Sequence, residues 1–269
     1  MKRLQFDYWM EIRYSEPVTE CHYTLKCLPK DTDMQKITEL KVEISPWSRY
    51  QMGEDSFGNG IIYDNLYENQ DHDRFGFHVS GVAFTGLNEG GKGSVEDSGI
   101  YKYPHGLNAA GDGIKTYFKK LMQPGLGRHN GKSRYNTALY LMYCLYRDFN
   151  YEKGITGVST AVEEAWSLGG GVCQDYAHIL IALCHLAEIP ARYVTGMMIG
   201  EGFSHAWVEI WSNDRWYGLD PTNGCTVNDS YIKIGAGRDA NDCLINKGIV
   251  KGGGMQTLSV CVRVEEILL

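Results

Sequence analysis

Three residues in the second half of the chain carry side chains that could perform nucleophilic catalysis: Cys173, His205 and Asp220. Cys173 follows three glycines, 169–171, and precedes a stretch with the apolar periodicity of a helix, which Pro190 ends. A thiol at a helix N-terminus lies near the positive end of the helix dipole and near unpaired N–H groups, which favour the thiolate. The glycines would let the backbone turn sharply and leave space beside the sulfur for a substrate. This segment alone is equally compatible with a nucleophile and with a cysteine that only packs after a simple turn.

His205 and Asp220 are predicted to share one face of a β-hairpin. Two segments with strand character flank Asn213 and Asp214, which are typical residues of a two-residue hairpin turn. With these two residues in the turn, Asp220 lies opposite Trp207, and the Cβ atoms of His205 and Asp220 are roughly 5.5 to 8 Å apart. A one-residue slip in register would put them on opposite faces. A carboxylate beside the imidazole sets this histidine apart from a purely structural one.

The first ~90 residues have the pattern of a small antiparallel sheet. Alternating or β-branched and aromatic runs are separated by turn signals, among them Glu16-Pro17. The following stretch, 86–106, is rich in Gly, Ser and acidic residues and is the best candidate for a boundary. We therefore predict an N-terminal β-rich domain at 1–95 and a catalytic core with C-terminal strands at 96–269.

Beyond that boundary the apolar pattern changes to a period of 3.6 residues. Residues 111–122 predict one short helix, and residues 136–150 predict a second. In the second helix, Leu139, Met142, Tyr143 and Tyr146 are expected to lie along one face. The helix that begins near Cys173 is expected to be largely buried. His178 and His185 on that helix are expected to be structural, because neither shares a face cleanly with the sulfur.

Composition excludes several classes of function. The formal net charge of −7 and the lack of clustered Lys and Arg argue against nucleic acid as a partner. Charged residues interrupt the N-terminal apolar stretch, and no window reaches the ~18 apolar residues of a membrane span. We expect a cytoplasmic protein with no membrane partner. The eight cysteines form no C-x-x-C pair and no EF-hand loop is present, so we expect no disulfide framework, metal or cofactor.

The core segments also carry a family resemblance. "GGGVCQDYAH", "ARYVTG", "SHAWVEIW" and "GLDPTNG", in that order, resemble the core of the transglutaminase-like superfamily, the papain-like cysteine enzymes. They are most similar to its bacterial and archaeal members, among which are candidate cysteine proteases. "YSEPV" and "DSFGN" resemble the N-terminal β-domain of those proteins, and the segment with Gly237-Arg238-Asp239 resembles their C-terminal part.

The resemblance implies an α+β, papain-like fold in which the nucleophile helix packs on an antiparallel sheet, with an added N-terminal antiparallel β-domain. It implies Cys173 as the nucleophile, His205 as base and acid, and Asp220 as the residue that orients His205. The backbone N–H of Cys173 is a natural donor to an oxyanion. Trp166 is a weaker candidate for the second donor, because an aromatic residue there is more often part of the core.

The expected reaction is acyl transfer from a peptide or side-chain amide through a thioester. Water as acceptor makes the enzyme a cysteine peptidase or amidase, which we favour because excluding water needs a hydrophobic tunnel that a sequence cannot display. A lysine amine as acceptor would make it a protein-glutamine transglutaminase. A catalytically silent peptide-binding module is a further alternative, against which the intact Cys, His and Asp set argues. Removal of sugar from asparagine amides is less favoured, since such enzymes usually carry a zinc site of C-x-x-C pairs.

Overall fold

The computed structural model describes residues 1–47, 49–66, 71–87, 91–92, 96–123 and 133–268 of the 269-residue chain. Within these ranges the chain forms an eight-stranded antiparallel sheet, a six-stranded antiparallel sheet, one two-stranded parallel pair and four α-helices. The expected α+β fold class is therefore confirmed.

The strands and helices are short except for β1, and their bounds follow in chain order. The strands are β1 (Lys2–Leu25), β2 (Gln35–Ser45), β3 (Gln51–Glu54), β4 (Gly60–Leu66), β5 (His72–Thr85), β6 (Gly91–Lys92), β7 (Asn150–Tyr151), β8 (Gly170–Gly171), β9 (Ala191–Met198), β10 (Gly200–Gly202), β11 (His205–Ser212), β12 (Arg215–Asp220), β13 (Cys225–Thr226), β14 (Tyr231–Gly237), β15 (Asn246–Gly252) and β16 (Gln256–Glu266). The helices are α1 (Asp112–Leu121), α2 (Arg134–Asp148), α3 (Val162–Leu168) and α4 (Cys173–Leu186).

Strand β1 runs through the middle of the first sheet. Its N-terminal half pairs with β5 and β16, and its C-terminal half pairs with β4 and β15. Alternate residues from Leu4 to Tyr14 are buried, as expected for a strand with one face against a core. The predicted turn at Glu16-Pro17 is wrong, because the strand continues through it. The register against β5 shifts between Arg13 and Val18, and this irregularity accommodates a proline that cannot donate to the ladder.

The first sheet is built from both ends of the chain. β15 and β16, which the sequence analysis grouped with the catalytic core, pair with β1, and the short β10 pairs with β16. The division of the chain between residues 95 and 96 stays a prediction. Residues 88–90 and 93–95 of the predicted boundary stretch lie outside the described residues.

The second sheet supports helix α4. Its strand order is β13-β12-β11-β9-β14, with β6 paired to β12. α4 packs on β9 and β11 and is surrounded by α1, α2 and α3. Every residue from 175 to 184 is buried, so this helix is the centre of the second core. That burial agrees with the expectation for the helix that begins near Cys173.

Helix α2 buries only part of the predicted face. Met142 of that face is buried, together with Leu141 and Leu145, whereas Tyr143 and Tyr146 are 49% and 50% exposed. Apolar residues occupy two faces of this helix, so periodicity alone did not identify the face that meets α4. Among the helices in the described part of the chain, none is long and apolar enough to cross a bilayer. The cytoplasmic location stays a prediction.

Candidate active site

Cys173 is the first residue of α4, as predicted, and it lines a cavity of about 590 Å³. The start of the helix is fixed by Asp175, whose Oδ2 accepts a hydrogen bond of 2.7 Å from the backbone N–H of Val172. A first-turn N–H group has no acceptor within its own helix, so the N–H of Cys173 is directed out of the helix end. The thiol and this N–H therefore lie together at the cavity wall.

The glycines before Cys173 have a structural purpose. Gly169 ends α3 with a φ of 75°, a conformation that favours glycine. Gly170 and Gly171 form β8, and a Cβ at Gly171 would overlap the carboxylate of Asp175. The expectation that the glycines leave space for a substrate is therefore wrong at Gly171. The space is taken by Asp175, which is 1% exposed and whose pKa burial raises above its usual value.

The β11–β12 hairpin brings His205 and Asp220 together. The predicted register is confirmed along the hairpin, and both turn residues, Asn213 and Asp214, have the positive φ of a type I′ turn. His205 Nε2 lies 2.7 Å from Asp220 Oδ2. The side chain of Asp220 is fully buried, and that of His205 is 11% exposed. The hydrogen bond between them is thus shielded from water.

His205 also forms a side-chain hydrogen bond with Cys173. Since Nε2 contacts Asp220, Nδ1 is the ring nitrogen that faces the sulfur. Burial alone would lower the pKa of His205, but the hydrogen bonds and charges of Asp220 and Cys173 outweigh it and raise the pKa from 6.5 to about 10. The arrangement therefore favours a positively charged imidazolium between a carboxylate and a sulfur.

The carboxylate of Asp220 is held by further donors. Tyr231 donates its hydroxyl to Oδ2 at 2.9 Å, and the Asn223 side chain donates to the same oxygen at 2.8 Å. The backbone N–H groups of Thr222 and Asn223 donate to Oδ1 at 3.0 and 3.1 Å. Burial alone would raise the pKa of Asp220, but His205 and the side chains of Asn223 and Tyr231 lower it. Asp220 is therefore a fixed, ionised partner for the imidazole.

Three parts of the chain form the cavity around Cys173. Tyr151 and Lys153 lie on one side, and the β10 segment with Phe203 lies on another. The Nζ of Lys153 is 5.8 Å from the centre of the Phe203 ring. Val262 of β16 adds a residue from the first sheet. The cavity is thus shared between the two sheets.

Trp166 does not line this cavity. Its ring packs on Tyr117 and Phe149, with centroid distances of 4.4 and 6.1 Å. Since it is absent from the residues that line the cavity of Cys173, we do not retain it as an oxyanion donor. His178 and His185 are buried or partly buried structural residues, since their Nε2 atoms contact the Ala240 N–H and the Tyr101 carbonyl.

Arg238 and Asp239 each make separate structural contacts. Arg238 bonds to Asp242, and Asp239 accepts hydrogen bonds from the N–H groups of Leu107 and Asn241. Over the described residues, no cluster of three or more His, Cys, Asp or Glu side chains could hold a metal ion. All eight cysteines are free thiols.

Two positioning residues were missed by the sequence analysis. Asn223 follows Asp220 by three residues in "DPTNG", and this spacing is a recognisable signal for a turn in which the aspartate accepts backbone N–H bonds. Tyr231 carries no such signal, because it lies on β14 and reaches Asp220 only through the packing of the folded sheet.

Comparison with known proteins agrees with this geometry. Residues 127–221 match the model of the transglutaminase-like superfamily, and residues 4–83 match the model of the bacterial transglutaminase-like N-terminal region. A crystal structure of a candidate cysteine protease from Cytophaga hutchinsonii has a TM-score of 0.79 and 19% identity to this chain. The match covers 100% of this chain and 91% of that one, which shows a shared fold.

Curated relatives match mainly one part of the chain. An uncharacterized protein of Mycobacterium leprae (strain TN) is 37% identical over 128 residues, which cover 44% of this chain and 46% of that protein. An uncharacterized protein of Mycobacterium tuberculosis (strain ATCC 25618 / H37Rv) is 38% identical over 122 residues, 39% of each chain. The matches span less than half the length of these relatives. The two family models thus identify residues 127–221 as a transglutaminase-like core and residues 4–83 as the bacterial type of N-terminal region.

Proposed function

We propose that this protein is a cysteine peptidase or amidase that acts through a thioester. In this proposal Cys173 is the nucleophile, His205 is the general base and acid, and Asp220 holds the imidazole in the required orientation. The observation that carries the proposal is the contact of one imidazole with both the Cys173 sulfur and a buried carboxylate, at the wall of a cavity. The match of residues 127–221 to the transglutaminase-like superfamily supports a cysteine-dependent enzyme.

The reaction follows from the ionisation of the pair. The thiolate attacks the amide carbon, and the carbonyl oxygen becomes an oxyanion near the N–H of Cys173. His205 gives its proton to the amide nitrogen, the C–N bond breaks and the amine leaves. His205 then takes a proton from water, which attacks the thioester, and the C–S bond breaks to release the acid. Asp220 stabilises the imidazolium in both steps.

Two other outcomes of the same site remain candidates. An amine that takes the place of water would give a transglutaminase, because both acceptors attack the same thioester. A silent binding module would keep the fold without using the thiol. The hydrogen-bonded and buried state of Asp220 favours catalysis over the silent module, since a peptide-binding role needs no carboxylate held by five donors.

The test is alkylation of Cys173 by iodoacetamide, followed by intact mass and peptide mapping. We expect rapid labelling at Cys173 at pH ~6, well below the ~8.5 at which an ordinary thiol ionises. His205→Ala should lower the rate at pH ~6 by about 10- to 100-fold.

Cys261→Ser is the matched control, because Cys261 is partly exposed on β16 and takes no part in the site. This variant should label like the wild type. Slow labelling of the wild type, equal to that of His205→Ala across the pH range, would favour the silent module instead.

A further inference from the structure

A second cavity, of about 440 Å³, lies between the first sheet and the start of α4. We call it the sheet-side cavity. Its floor is formed by alternate residues of β1, Tyr8, Met10 and Ile12, and its outer wall includes Leu258 and Val260 of β16. Its volume is within the ~300–1,000 Å³ range of sites that hold small ligands. The first sheet thus supplies much of this surface, through β1, β15 and β16.

The sheet-side cavity adjoins the cavity of Cys173. Five residues line both: Gln174, Tyr193, Thr195, Phe203 and Ser204. Gln174 directly follows the nucleophile, and Ser204 directly precedes His205 in the chain. An extended peptide advances about 3.3–3.6 Å per residue, so a side chain one or two residues from an amide at Cys173 can enter the sheet-side cavity.

The lining selects for an uncharged occupant. No Asp, Glu, Lys, Arg or His side chain lines the sheet-side cavity in the described part of the chain, whereas Lys153 and Glu201 line the cavity of Cys173. Three of its apolar side chains are strongly exposed: Val158 at 69%, Phe203 at 66% and Leu258 at 61%. Exposed apolar groups gathered around one concave surface mark a binding site more often than scattered ones do.

We propose that the sheet-side cavity binds an aromatic or branched aliphatic side chain of the amide substrate while the reacting carbonyl lies against Cys173. This inference rests on the proposed function. It makes the first sheet a specificity-determining wall of the active site. Since the floor is uncharged and apolar, substrates with an acidic or basic group at that position are disfavoured by desolvation of the charge.

The test uses chloroacetamides that differ only in the substituent on nitrogen: methyl, benzyl or 4-aminobutyl. Rate constants for alkylation of Cys173 are measured by intact mass and expressed relative to the methyl reagent, which cancels any change in thiol reactivity. We expect the benzyl-to-methyl ratio to exceed that of glutathione by about tenfold or more, as burial of an aromatic group predicts. Leu258→Glu should reduce this ratio and raise the 4-aminobutyl-to-methyl ratio, whereas Leu258→Lys should reduce both.

Ile249→Glu is the matched control, since Ile249 is 75% exposed on β15 and lines neither cavity. It should keep the wild-type ratios. A benzyl-to-methyl ratio equal to that of glutathione, or equal effects of the 258 and 249 variants, would overturn the inference. The inference would also be overturned if the protein self-associates and Leu258→Glu dissociates it without altering the ratios. The benzyl-to-methyl ratio can be measured even if the thiol reacts slowly. Failure of this inference is therefore distinct from failure of the proposed function, which is tested by the rate of the methyl reagent with the wild type and with His205→Ala.

Discussion

His205 has its chemical character because of its neighbours. Asp220 accepts hydrogen bonds from the imidazole, from Tyr231, from the Asn223 side chain and from two backbone N–H groups. A carboxylate held by so many donors stays ionised when buried. Its charge in turn keeps the imidazole protonated. Because the pKa of His205 is raised in the folded protein, the free energy of unfolding depends on pH.

We predict that His205 stabilises the fold less as pH rises. The comparison is best made in Cys173→Ser, so that thiol ionisation does not offset the effect, and Asp220 still raises the pKa of His205 there. Below pH 6.5, the ordinary pKa of a histidine, the imidazole is charged in both the folded and the unfolded chain. Its stabilisation of the folded protein is then complete. Between pH 6.5 and alkaline pH the unfolded chain loses this proton while Asp220 still favours it in the folded protein, so the stabilisation is lost as pH rises.

The measurement is urea unfolding of Cys173→Ser and of Cys173→Ser with His205→Gln across that pH range. The free energy of unfolding of the first should exceed that of the second by a few kcal/mol at pH ~6, at roughly 1.4 kcal/mol for each pKa unit. The difference should shrink steadily toward alkaline pH. A difference that is constant or that grows with pH would contradict the ionic role of His205.

At the scale of helices and strands, the sequence predicts those features that are determined by residues close together in the chain. The β11–β12 register follows from Asn213 and Asp214, whose side chains tolerate positive φ, and the start of α4 follows from the glycines and the apolar period. The continuous β1 and the role of Tyr231 could not be predicted in this way. Both depend on partner strands far along the chain, so their register is determined by tertiary packing.

The second sheet also contains a largely buried cluster of charged side chains that no sequence motif predicts. Arg192 on β9 and Lys233 on β14 both contact Glu209 Oε2, at 2.5 and 2.6 Å. The guanidinium of Arg192 lies 4.0 Å from the centre of the Trp216 ring. Burial alone would raise the pKa of Glu209, but the two cations outweigh it and lower that pKa. The cluster therefore links the adjacent strands β11, β9 and β14 around an ionised carboxylate.

We predict that Glu209→Gln destabilises the protein by about 3–5 kcal/mol, because it leaves two buried cations without a counter-charge. Urea unfolding at neutral pH measures the effect. Glu54→Gln is the control, since the Lys30–Glu54 pair is on the surface, with side chains 35% and 65% exposed, and should cost less than about 1 kcal/mol. Equal small losses in both variants would mean that water reaches the Glu209 cluster.

At the scale of the whole molecule, the first sheet holds the segment that leads into His205. β10 pairs with β16 through residues 200–202, and Tyr8 of β1 forms a side-chain hydrogen bond with Ser204. Val262 of β16 reaches the cavity of Cys173. Because both ends of the chain support this segment, the N-terminal region is part of the active-site architecture and not a separate attachment.

The shape of the active-site cavity bears on the choice of acceptor. Its walls include Tyr151 and Phe203, which are 53% and 66% exposed, and the charged Lys153 and Glu201. Such a surface admits water to the thioester, whereas selective transfer to an amine requires water to be excluded. We therefore predict that hydrolysis exceeds aminolysis after acylation of Cys173.

The acceptor is measured by acetylating Cys173 with p-nitrophenyl acetate in the presence of millimolar cadaverine and quantifying acetate and N-acetylcadaverine. Acetate should be the main product, and intact mass should show the acetyl group leaving Cys173 at a rate that cadaverine changes little. Cys173→Ala corrects for direct reaction of the reagents, since it has no thiol to acylate. N-acetylcadaverine as the main enzyme-dependent product would instead identify a transglutaminase, because an amine could then outcompete water at this open site only through specific binding next to the thioester.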